Sequence, residues 1–208
     1  MDSKYRKQLI ILSALGTIIL ITDVILFFGA EVISGTAFGV TALISAPLAI
    51  VPALFLIAPE EMAERWKASR KPDYGWMPRT REGSIMEAVA AILLIGAWTI
   101  ALTRHQFADG IEGNPQVMLI IMTFTAVVLM VAAYNPRYIN TGVEVTNERQ
   151  LFLAVRMTRV IAIELALMLL CDEITGGLLL TDSALMTVTV SIIVLTALLF
   201  IFLIWREK

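Results

Sequence analysis

The sequence predicts an all-α fold, a polytopic transmembrane helical bundle of six spans with both termini on the cytoplasmic side. Three observations predict it. The 208 residues are 58% hydrophobic and only 16% charged, where a soluble domain carries about a quarter charged residues. Mean hydropathy is +0.82. The apolar residues stand in blocks of about 20, the length at which a helix rising 1.5 Å per residue crosses a hydrocarbon layer of roughly 30 Å.

Taken in order, the first span covers about 8–29, behind the basic tail Lys4, Arg6 and Lys7. Its apolar core is too long for a signal-peptide core and lacks a small-x-small cleavage site, so it reads as a span. A short polar turn leads to a second span over about 35–58. The longest hydrophilic stretch, 59–84, follows, and Ser84 with Glu87 three residues on reads as a capping box opening a third span over about 85–103. Pro115 opens the fourth span (about 115–134) at the helical position that tolerates a missing N–H. A second hydrophilic stretch runs from Asn135 to Arg159. In it Asn147 and Gln150 form another capping pair, so a helix starts well before the apolar core of the fifth span (about 158–180). Residues 150–157 are expected along the cytoplasmic interface. The sixth span covers about 183–205. The whole chain is one integral membrane domain.

Orientation follows from the basic residues. The N-terminal tail, the 59–84 stretch, the 135–159 stretch and the C-terminus hold 15 of the 16 Lys and Arg, and six spans put all four regions on one side. Basic loops are retained in the cytoplasm, so both termini are expected inside, in the cytoplasmic (inner) membrane. Arg104 is the exception.

Ionisable residues at membrane depth are costly and hence the first candidates for function. Asp23 lies deep in span one. Glu164 lies in the cytoplasmic half of span five, with Arg159 five residues before it as a partner. Asp172 and Glu173 read either as the outer cap of span five, before Gly176-Gly177, or as part of an outer-leaflet polar site with Asp23, Arg104 and His105. Glu87 reads as a cap. Pro47 and Pro52 in span two remove backbone donors and mark a hinge or a static kink, with Ser45 near enough to satisfy a freed carbonyl. Gly35 and Gly39 form a small-xxx-small pair suited to a close helix crossing, inside the bundle or between subunits.

Other classes are excluded. A net charge of −2 without a basic face argues against nucleic acid. The single histidine and single cysteine rule out a His-cluster or Cys-rich metal site, and no cofactor is expected. No catalytic motif or phosphate-cradling glycine loop is present.

The stretch Asn135-Pro136-Arg137-Tyr138-Ile139-Asn140-Thr141-Gly142-Val143-Glu144-Val145-Thr146 resembles a cytoplasmic turn of uncharacterised bacterial multi-pass proteins, of the Bacteroidetes type, that neighbour the SdpI-like immunity family. In that group an Asn-x-x-Val-x-Val/Ile-Thr turn precedes a basic helix, matched here by Arg149, Arg156 and Arg159. Its outer loop carries Ile-Pro-x-His-Phe, where this chain has His105-Gln106-Phe107 and Gly110 without the proline. The resemblance covers about residues 104–160 and implies membrane residence with an immunity or signalling role. Two functions follow as expectations. One is a non-enzymatic protein that binds or regulates a membrane partner or a second copy of itself. The other is a small proton- or cation-coupled transporter using the intramembrane carboxylates.

Overall fold

A computed structural model describes residues 3–26, 37, 41–42, 44–45, 48–49, 52, 75–105, 115–177 and 183–207. Among them the chain is helical, with no strand. The helices are α1 (Ser3–Val24), α2 (Arg81–His105), α3 (Pro115–Ala132), α4 (Glu148–Thr175) and α5 (Ser183–Arg206), with a 3-10 turn at Pro136–Tyr138 between α3 and α4. Three helices are long and apolar enough to cross a membrane, within Lys7–Val24, Arg81–Arg104 and Leu185–Arg206. Met118–Ala132 is a shorter apolar helix.

The bundle is built around α4. Every residue from Gln150 to Val160 is buried, and burial continues through Ala162, Ile163, Glu164 and the Ala166–Leu169 stretch. This helix carries Arg149, Arg156, Arg159, Glu164, Asp172 and Glu173, so the most charged of the described helices lies innermost. The surrounding helices turn bulky apolar side chains outward, among them Ile92 and Ile95 of α2, Phe124 of α3, Leu195 of α5 and Ile18 of α1. A surface of that kind is unfavourable in water and matches a lipid environment. The molecule is a membrane helical bundle with a polar axis and an apolar coat.

Helix directions follow from the contacts. α2 and α4 run parallel for their whole length, since Glu82 meets Arg156, Gly96 packs on Leu170 and Arg104 reaches Ile174. A seam of small residues permits this. Gly83, Ala90 and Ala97 recur every seven residues, the repeat that keeps one helix face on a neighbour, and both alanines are almost fully buried. α3 runs against α2, joined by Trp98 Nε1 donating to Thr123 Oγ1 at 3.1 Å. α5 runs against α4, with Gln150 Nε2 on the Ile204 carbonyl at 2.9 Å and Thr196 on Glu164.

Several helix starts differ from the sequence expectation. α2 begins at Arg81 because Thr80, four residues before Ser84, is the cap: its Oγ1 accepts from the Gly83 N–H at 3.0 Å. Ser84 Oγ instead accepts from Arg79 Nε. Asn147 does cap α4, accepting from Gln150 N–H at 2.9 Å, while Gln150 Oε1 accepts from Thr146 N–H at 2.7 Å. Residues 150–157 do not lie along an interface. They form the first turns of one continuous, enclosed helix, because α2 and α5 pack on that segment through Glu82 and Ile204.

The pair Gly35 and Gly39 and the residue Pro47 lie outside the described residues. Pro52 is helical and buried. The close crossing observed for α1 is at Gly16, where a Cβ would collide with the backbone of Leu48 and Ala49. Ser13 Oγ donates to the Ala49 carbonyl at 2.8 Å beside it. Ser45 Oγ is buried with no hydrogen bond, so it does not satisfy the Leu48 carbonyl that Pro52 frees.

Candidate functional site

Charged side chains gather where α2, α3 and α4 come together at the bundle's basic end. Glu82, in the first turn of α2, receives Arg156 in a two-pronged contact, Nε to Oε1 at 2.6 Å and Nη2 to Oε2 at 2.8 Å. The two side chains are 2% and 1% exposed. A carboxylate in a first helical turn also meets the positive end of the helix dipole. The Arg156 guanidinium lies 5.3 Å from the Phe152 ring centroid, which adds a cation–π contact.

Three residues along α4, Arg159 lies across the first turn of α2. Gly83 leaves room for it, since a Cβ there would stand 2.6 Å from the guanidinium carbon. The Arg159 guanidinium sits 5.3 Å from the Tyr134 ring centroid, and its Nη2 is 3.9 Å from Glu87 Oε1. Its Nε is buried with no hydrogen bond. Tyr134 Oη donates to Glu87 Oε1, and Arg79 Nη2 stands 3.8 Å from Glu87 Oε2. Trp76 stacks on Tyr134 at 5.9 Å, and Met77 N–H donates to the Tyr134 carbonyl at 2.8 Å. Glu87 is therefore not a helix cap. It sits in the second turn of α2, bonded to Tyr134 between two arginines.

The same end ties α4 to α5. Arg149 Nη1 pairs with Glu207 Oε2 at 2.7 Å, and Asn147 Nδ2 donates to the Glu207 carbonyl at 3.0 Å. Together with Gln150 on Ile204, these contacts satisfy carbonyls that a helix C-terminus leaves without intrahelical partners.

Glu164 lies eight residues beyond Arg156, about 12 Å further into the bundle at 1.5 Å per residue. It does not pair back to Arg159. Its Oε1 accepts from Thr196 Oγ1 at 2.7 Å, and its Oε2 is buried without a hydrogen bond. Asp23 is likewise buried, at 8% exposure, with Oδ2 lacking a hydrogen bond.

At the far end, Arg104 Nη2 donates to the Ile174 carbonyl at 3.0 Å, and its Nη1 lies over Gly176. Gly176 closes α4 in the left-handed conformation, φ 80°. The Gly177 N–H returns to the Asp172 carbonyl at 2.8 Å, and Thr175 Oγ1 donates to that same carbonyl. Arg104 is thus a cation at a helix C-terminus, where the dipole favours it. Asp172 and Glu173 form the closing turn, as one of the two sequence readings has it, and the Asp172 side chain is buried. His105 is the last residue of α2. No group of three or more metal-ligating side chains occurs among the described residues.

The basic-end cluster escaped the sequence reading because Arg156 and Arg159 were counted as loop charges for orientation. One signal was present. Both follow a helix cap at Asn147 and sit three apart inside the apolar run 151–163, where an exposed loop would be polar.

Comparison with family models, curated proteins and solved structures finds no match.

Proposed function

We propose that this chain is a six-span protein of the cytoplasmic membrane, both termini inside, that works without catalysis by binding and regulating a protein partner at its cytoplasmic face. The observation that carries this reading is the exposed aromatic and basic surface held by the basic-end cluster. Trp76 is 70% exposed and Tyr138 78% exposed, with Arg81 and Arg137 exposed beside them in sequence. Trp, Tyr and Arg are the residue types that dominate binding hot spots, and a rigid mount lowers the entropy lost on association. The buried Glu82–Arg156 pair and the Met77–Tyr134 backbone bond supply that mount. Membrane thickness supports the span assignment. From Arg156 to Ile174 is 18 residues, or about 27 Å, close to the roughly 30 Å of a hydrocarbon layer. The resemblance of the 135–146 turn to the SdpI neighbourhood makes an immunity-like role one form of such regulation.

A photo-crosslinking residue at Tyr138, introduced into the full chain in bacterial membranes, tests the reading. It should yield one discrete protein adduct that Arg137→Glu reduces at least fivefold. Absence of any adduct overturns it.

Glu164 and Asp23 favour a second reading, proton- or cation-coupled transport, because each keeps a buried carboxylate oxygen without a hydrogen bond. In proteoliposomes, Glu164→Gln should then abolish a flux that the unmodified chain supports. Equal flux from both proteins rejects this route.

A further inference from the structure

A cleft of about 270 Å³ runs between α2 and α3, walled by Ala90, Ala91, Leu94, Ala126, Val127 and Met130. Three of those six are alanines, and their small side chains hollow the cleft. Glu87 and Tyr134 line one end of it, the end that carries the basic cluster. We propose that this cleft is a binding site for an anionic phospholipid, with one acyl chain along the apolar walls and the phosphodiester on Arg79.

Charge complementarity selects the occupant. Glu82 and Arg156 cancel each other through their two-pronged contact. What remains among the described residues is one carboxylate, Glu87, facing two guanidiniums at 3.8 and 3.9 Å. Both separations exceed a hydrogen bond, so neither arginine is locked to Glu87. Arg159 is 3% exposed and cannot leave, and it supplies the counter-charge that Glu87 needs in its partly buried position. Arg79 is 74% exposed, so the surplus positive charge of the group stands on the arginine that can move. That arginine faces Glu87, which lines one end of the apolar cleft, and Trp76, stacked on Tyr134 at the same end, is a residue type that favours the headgroup level. A phosphate there draws Arg79 from Glu87 and from Ser84 Oγ, to which its Nε donates at 3.2 Å, and Arg159 with Tyr134 keeps Glu87 in place. The volume is just below that of pockets enclosing a drug-sized molecule, which suits one chain better than a whole amphiphile.

The site shares Trp76 with the partner-binding surface but uses neither Tyr138 nor Arg137, on which the crosslinking test reads, so the two proposals can fail separately. The test is native mass spectrometry of the full detergent-solubilised chain with dioleoyl phosphatidylglycerol, dioleoyl phosphatidylcholine and the chain-free glycerophosphoglycerol. Phosphatidylglycerol should be retained about fivefold over phosphatidylcholine, the worth of one basic residue at an anionic surface. Arg79→Gln should bring that ratio to about one, and the control Arg206→Gln, at another exposed arginine, should leave it unchanged. Ala91→Phe, at an exposed position that the fold tolerates, should lower retention of both lipids by filling the cleft. Glycerophosphoglycerol should not compete. Equal retention of the two lipids by the unmodified chain overturns the proposal. So does a preference that survives Arg79→Gln, retention that survives Ala91→Phe, or competition by the chain-free headgroup. The last result would mark a phosphate site without a lipid.

Discussion

The two ends of α4 hold the helix by different means. At the basic end, α2 grips α4 with side chains alone: Glu82 on Arg156, and Arg159 laid over Gly83. At the far end, one α2 side chain, Arg104, meets the α4 backbone at Ile174. A side-chain pair taken out of water fails badly when one member is lost, because the survivor keeps its desolvated charge. A cation on a helix terminus fails mildly, since the exposed carbonyl can turn to water or to neighbouring turns. The parallel α2–α4 pair therefore has one brittle joint and one forgiving joint.

The largest expected effect breaks the brittle joint. Glu82→Gln should destabilise the detergent-solubilised protein by about 3–5 kcal/mol, the cost of leaving a buried charge without its partner. The double variant Glu82→Leu with Arg156→Met should recover most of that loss in the same thermal or denaturant melt. A double variant as unstable as Glu82→Gln would mean that packing, not charge, sets the joint. Gly83→Ala comes next. Forcing a methyl under the Arg159 guanidinium costs about 1–3 kcal/mol as overpacking, and removing a helical glycine returns up to about 1 kcal/mol. A net loss of about 1 kcal/mol is expected by the same melt. The smallest effect belongs to the far end. Arg104→Gln should cost about 0.3–1 kcal/mol and speed hydrogen exchange only in the 172–177 turn, leaving exchange at 150–160 unchanged. A loss matching that of Glu82→Gln would erase the contrast between the joints.

The fold class was legible because hydropathy blocks and charge placement are one-dimensional signals. Gly176 and Gly177 closing α4, and Asn147 opening it, were readable for the same reason, as caps depend on residues three or four apart. Arg156 and Arg159 were misplaced because their partners, Glu82 and Tyr134, are far away in sequence. No local rule separates an arginine that faces headgroups from one that faces a carboxylate on another helix. Glu87 shows the same limit. Three residues from Ser84 it has the spacing of a cap, yet its partner Tyr134 arrives from the turn after α3. The enclosure of residues 150–157 was missed because a basic amphipathic start looks alike on a membrane surface and in the middle of a bundle.

The innermost position of α4 also bears on how the chain is made. A charge placed in lipid without a partner opposes insertion of a lone helix, and α4 carries the buried Arg156, Arg159 and Glu164. α2, which bears Glu82, is synthesised before α4, and so are α3 and Tyr134 just beyond it. The two arginines are thus translated after both of their partners. Glu164 differs, because Thr196 lies on α5 and is translated afterwards. The order of the described helices along the chain thus lets α4 meet the partners of both arginines as it forms, and α5 then closes over Glu164.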